Sequence, residues 1–132
     1  GTYMRPIKFR AWNTSMKQMF SAEELATDQM TLLPTGEFIN VSGVNVKLSV
    51  IYPVDIMIPL QFTGLHDKNG REIYEGDILQ TYQDNKVTKY GKPWKVEWIS
   101  KKHKVGWNIG IPEATSYEVI GNIYENSELL KI

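Results

Sequence analysis

The chain has 132 residues, the length of one ordinary domain or of one domain with a small companion lobe. A hydrophobic fraction of 42% is that of a folded globular protein, and the absence of cysteine rules out disulfides, thiolate zinc sites and a cysteine nucleophile. Fifteen basic residues balance fifteen acidic ones, so no global field draws the chain to nucleic acid or to a membrane surface.

The opening Gly1-Thr2-Tyr3-Met4-Arg5-Pro6 lacks the apolar stretch of a signal peptide, with Gly1 reading as an added residue and Met4 as a natural start. No apolar run approaches the roughly 20 residues of a membrane helix, so a cytoplasmic protein without membrane contact is expected. Ile7, Phe9 and Ala11 alternate with Lys8, Arg10 and Trp12, the period of a half-buried strand, and the turn Asn13-Thr14-Ser15 predicts an N-terminal hairpin. Ser21 with Glu24 forms a capping box, which predicts one or two helical turns before Thr27 and Asp28 weaken the pattern. Thr35-Gly36 turns the chain ahead of Phe38, Ile39 and Val41. Val44, Val46, Leu48 and Val50 then alternate with Asn45, Lys47 and Ser49, the clearest strand pattern present.

Pro53 and Pro59 bracket Val54 to Ile58, a stretch too short for a helix and too bound by proline for a central strand. It reads as a connector, dividing a β-rich N-terminal extension over residues 1–58 from a second domain over residues 59–132. That second part begins with Leu60 to Leu65, turns at Asp67-Lys68-Asn69-Gly70 and resumes from Ile73 to Leu79, with Asn-Gly supplying positive φ. Further strands are expected from Trp94 to Ile99, from Val105 to Ile109 and around Tyr117, Val119 and Ile120. Asn126, as a capping residue before Leu129 and Leu130, predicts one terminal helical turn. The fold class is mainly β with short helical turns.

Patterns with chemical meaning are few. Asp67 and Asn69 resemble the start of a calcium loop, but Glu72 and Ile78 stand where the loop needs Gly and Glu, so a plain β-turn is expected. His66 and His103 lack the spacing of paired metal ligands, and the glycines do not form a phosphate-cradling loop, so no metal or cofactor is expected. Glu72, Glu75 and Asp77 could divide acid and base roles if burial split their pKa values; solvated turn acids are the plainer account.

Charge is segregated along the sequence. Between Lys86 and Lys104 seven lysines stand against the single acid Glu97, leaving +6 there and −6 elsewhere. Lys86, Lys89, Lys92, Lys95, Lys101, Lys102 and Lys104 are interleaved with Tyr90, Trp94, Trp98 and Trp107, the mixture a single-strand binder uses for phosphates and bases. The structural alternative puts Trp94, Val96 and Trp98 on one strand face and Val105, Trp107 and Ile109 on another, as core, with the lysines on a solvated face. Lys92, Lys95, Lys101, Lys102, Lys104, Trp94 and Trp98 are the candidate contacts with nucleic acid or a partner.

The stretch Gln61-Phe62-Thr63-Gly64-Leu65-His66-Asp67-Lys68-Asn69-Gly70-Arg71-Glu72-Ile73-Tyr74-Glu75-Gly76-Asp77-Ile78 resembles the signature of the YopX family of phage and prophage proteins. The opening Ile7-Lys8-Phe9-Arg10-Ala11-Trp12 and the closing Tyr117-Glu118-Val119-Ile120-Gly121-Asn122-Ile123-Tyr124-Glu125-Asn126 resemble that family's two ends, with Ser127 in place of its usual proline. The resemblance implies an SH3-like small barrel in the second half, a packed N-terminal extension, a phage or prophage origin in a bacterial cytoplasm, and no catalytic residues. The motif also has a structural explanation, with Gly70 and Gly76 at turns, Asp77 bonding backbone amides, and Ile73, Ile78 and Leu79 in a core. The leading functional expectation is a non-catalytic binding or assembly protein, acting on itself as a homo-oligomer through open sheet edges or on a host or phage protein. The alternative is a nucleic-acid-binding accessory protein, and an enzyme using Glu72, Glu75 and Asp77 comes third.

Overall fold

The computed structural model describes residues 6–41, 50–110 and 115–131, and the expected strand from Val44 to Val50 lies outside them except for Val50, which is in no strand. The fold is mainly β, with twelve strands, one short α-helix and a terminal 3-10 turn among the described residues. Two compact units divide the chain between Gln61 and Phe62.

In the N-terminal unit, β1 (Phe9–Asn13) and β2 (Gln18–Phe20) form the expected hairpin, with Ala11 opposite Phe20. Asn13 closes the turn, its Oδ1 accepting the backbone N–H groups of Ser15 and Met16. The capping box holds in α1 (Ala22–Thr27): Ser21 accepts from the Glu24 amide, and Glu24 accepts from the Ser21 amide. A second sheet runs β3 (Met30–Leu32), β4 (Phe38–Asn40), β5 (Ile51–Tyr52), with Gly36 at φ +92° turning β3 into β4. Leu25 on α1 joins Ala11, Phe38 and Met57 in the core.

The connector expected from Val54 to Ile58 is corrected: the turn ends at Ile56, and β6 (Met57–His66) begins one residue later with Pro59 inside it. Proline is tolerated because, among the described residues, only one side of β6 is paired at that height. Residues 57–61 pair with β1, Pro59 lying opposite Ala11, and β7 joins the other side only from Phe62 onward.

The C-terminal unit continues through β7 (Glu72–Tyr74), β8 (Asp77–Gln83), β9 (Lys89–Lys95), β10 (Trp98–Lys101), β11 (Lys104–Trp107), β12 (Thr115–Asn122) and the 3-10 turn Ser127–Leu130. An antiparallel sheet of order β12-β8-β9 carries the core of Ile73, Leu79, Val96 and Val119, against which Trp94, Trp107, Ile109 and Tyr117 pack. The strands β10 and β11 form a separate two-stranded ribbon.

Four expectations for this half are corrected. Trp94 to Ile99 is not one strand, because Asn108 reaches across, donating to the Lys95 carbonyl and accepting from the Glu97 amide, and so breaks the chain between β9 and β10. Val96 is buried in the core cluster against which Trp94 packs, as expected of one face, while Trp98 turns out and does not share that face. Val105 is 67% exposed and not core, since the ribbon has no third strand among the described residues. Finally, Asn126 makes no side-chain cap for the terminal turn; its Oδ1 accepts from the Asn122 amide instead. That contact accounts for Gly121, where a Cβ would fall 2.6 Å from the same oxygen.

Candidate binding surface

The signature turn is built around two buried carboxylates. Asp67 Oδ1 accepts the amides of Asn69 and Arg71, each at 2.9 Å, and its Oδ2 accepts the Val119 amide at 2.9 Å, which fastens the turn to β12. Asp77, almost fully buried, accepts the Tyr74 amide at 2.7 Å and so holds the β7–β8 turn. It is therefore not a solvated acid, and the backbone bond is the role that the structural explanation of the motif gave it. Glu72 and Glu75 are half-buried and, like Asp77, engaged in further polar contacts. Between β6 and β7 the register slips, and the Thr63 hydroxyl fills the gap by donating to the Ile73 carbonyl at 2.7 Å. Gly70 takes φ +84°, as Asn-Gly predicted.

Lys68 links this turn to the basic region, a connection that its surface-turn position in the sequence does not advertise. Its ammonium donates to the Lys86 carbonyl at 3.0 Å, stands 3.7 Å from the centre of the Tyr82 ring and lies 3.9 Å from Glu118. Glu118 also accepts from the Tyr82 phenol, which raises that tyrosine's pKa. The adjoining loop is shaped by Asn85, whose Oδ1 accepts the Val87 and Thr88 amides, with Lys86 at φ +62°.

From that loop the chain lays out the candidate contacts. Lys89, Lys92 and Lys95 are exposed on β9, and Lys101, Lys102 and Lys104 at the end of the ribbon together with His103. Lys95 is ion-paired to Glu97 at 3.4 Å; Lys89, Lys92, Lys101, Lys102 and Lys104 have no acidic partner among the described residues. The aromatic side chains divide. Trp94 is half-buried, donates from Nε1 to the Thr81 hydroxyl at 3.0 Å and meets Tyr117 edge to face. Trp107 is half-buried against the core, and Trp98 packs edge to face on it at 5.1 Å yet stays 50% exposed. Tyr90, which composition alone placed among the interleaved rings, is 61% exposed on β9. Of the three tryptophans in this stretch, then, only Trp98 presents a large free surface.

Elsewhere the residues offer less. In the N-terminal unit a cavity of about 320 Å³ is lined by Leu25, Met30, Tyr52 and Met57 with Asn13 and Asn40. Its polar groups serve the fold: Asn13 Nδ2 donates to the Met57 sulfur and Asn40 Nδ2 to the Asp28 carbonyl. Among the described residues no three of His, Asp or Glu are grouped to hold a metal ion, and no helix is long and apolar enough to cross a membrane.

Comparison with known proteins agrees with the three signature segments. No curated protein matches the chain. Among solved structures, the crystal structure of protein EF1440 from Enterococcus faecalis is similar, at 28% identity and a TM-score of 0.56, over 96% of this chain and 99% of that one. The YopX protein family matches residues 8–131, from the first strand through the terminal turn, and the chain therefore belongs to the YopX family.

Proposed function

We propose that this protein is a non-catalytic binding protein of phage or prophage origin, working through the exposed lysines and rings of β9 and the β10–β11 ribbon. The observation that carries this reading is the exposure of Trp98 and Tyr90 among lysines without acidic partners, since exposed aromatic side chains in a charged setting are typical anchors for a partner. The engagement of Asp67 and Asp77 with backbone amides supports the absence of acid–base chemistry. Residues 59–132 are read as the SH3-like barrel domain and residues 1–58 as its extension; the short antiparallel strands of the second half are in keeping with that. The test is retention on immobilised polyanions, heparin and polyglutamate, at low salt. We expect retention that Y90A/W98A weakens at unchanged melting temperature, and a protein that passes unretained over both overturns the reading.

Self-association is a second reading, favoured by Val50 and Ile51, which are exposed beside the short edge strand β5. The β9 edge does not favour it, being blunted by Lys89, Lys92, Pro93 and the positive φ of Gly91. Sedimentation velocity at micromolar concentration should show a dimer or larger species, and a strict monomer removes this reading.

A further inference from the structure

We infer that the polyanion this surface takes is single-stranded nucleic acid, bound without sequence preference; the inference rests on the binding role proposed above. Three observations carry it. The first is the kind of cation. The stretch from Lys86 to Trp107 has seven lysines and no arginine. Lysine is a point charge suited to phosphate, whereas arginine is the residue of bidentate base reading and is enriched at protein interfaces, where lysine is depleted. Such a surface grips a phosphodiester backbone and reads no base edges.

The second observation is the pairing of those charges with open rings. Tyr90 stands two residues from Lys92 on β9, and Trp98 opens the strand β10 that leads into the turn of Lys101, Lys102 and Lys104, with Trp98 and Lys101 on opposite faces of that strand; both rings are at least half exposed. Bases in a duplex hide their faces in the stack, while a single strand offers every face to a side chain, and stacking of this kind tolerates any sequence. Trp98 is braced edge to face against Trp107 and so is held in place before a base arrives. The third is availability: Lys89, Lys92, Lys101, Lys102 and Lys104 carry charge that no acid among the described residues neutralises. The chain as a whole is neutral, so a polyanion is drawn by these lysines alone and the binding is sensitive to salt.

The experiment is fluorescence anisotropy of the full chain with a labelled oligothymidylate of about 12 nucleotides, within the site sizes of single-strand binders, against a duplex of equal length. Four engaged lysines should give a slope of log affinity against log salt near about −3, at roughly −0.7 per contact. K101E/K102E/K104E should abolish binding with the circular dichroism spectrum unchanged. W98A should weaken the single strand about fivefold or more, and the duplex far less, as loss of one stacked base predicts. If the protein is retained on heparin and polyglutamate through the same lysines but ignores the oligonucleotide at about 50 mM salt, the inference falls and the binding role stands, with an acidic protein as partner. Duplex bound as tightly as single strand, with no effect of W98A, also overturns the inference. Failure to bind any of these polyanions removes both.

Discussion

Asp67 ties two separate segments of the C-terminal unit together, because three backbone amides converge on it. Asp67→Ala would leave the Val119 amide without an acceptor in a buried setting, and an orphaned buried donor costs about 1–3 kcal/mol. The expected result is a lower urea midpoint, and Asp67→Asn, which keeps one carbonyl oxygen, should recover part of the loss. Gly70 has open space where a Cβ would go, so Gly70→Val should cost about 1 kcal/mol or more from φ alone, with Gly70→Asn milder. Equal melting temperatures for the two variants would show that conformation is not what the glycine supplies. Of these two residues only Gly70 was legible in the sequence, where Asn-Gly announces positive φ locally. The partner of Asp67 on β12 lies 52 positions away, and no local pattern encodes a bond of that span.

Elements defined by their own residues were likewise the readable ones. The helix α1 follows from Ser21 and Glu24, and Ser21→Ala should cost about 1 kcal/mol, measured as a shift in chemical denaturation. Glu23 in the same first turn has its pKa lowered by a backbone hydrogen bond first and by Lys8, 3.2 Å away, second. A carboxylate whose pKa is lower in the folded state stabilises above its unfolded pKa and loses that contribution as pH falls through the folded value. Glu23→Gln should therefore flatten the acid limb of stability against pH, slightly, because the group is exposed. Elements that depend on distant residues were misread. Pro59 looked like a barrier to a strand until the absence of β7 at its height removed the conflict, and the break after Lys95 is made by Asn108. The candidate surface was legible as composition, but which ring is free was not: Trp94 and Trp98 differ only in what folds over them.

Over the whole molecule, a formal charge of zero conceals +6 in one short segment and −6 in the remainder. Molecules of this kind attract one another end to side at low ionic strength, and the attraction is screened within a Debye length of about 8 Å at physiological salt. Static light scattering near neutral pH should accordingly give an attractive second virial coefficient in dilute buffer that becomes repulsive or neutral on adding salt. K101E/K102E/K104E, which lowers the positive charge of the segment, should weaken the effect. A salt-independent coefficient would show that the separation along the sequence is not a separation in space.

The strand β6 has a consequence for inheritance. Domain boundaries ordinarily fall in exposed linkers, where one module can be joined to another without disturbing either. Here the division between the units comes within a continuous ten-residue strand, with Leu60 buried on one side of it and Phe62 on the other. A recombination breakpoint at that position would keep β1 with its partners Met57–Gln61 and β7 with its partners Phe62–His66, so each half would carry its own ladder through the exchange. What the exchange must preserve is the extended backbone through residues 61 and 62, so the halves can pass as cassettes only between chains that share this strand.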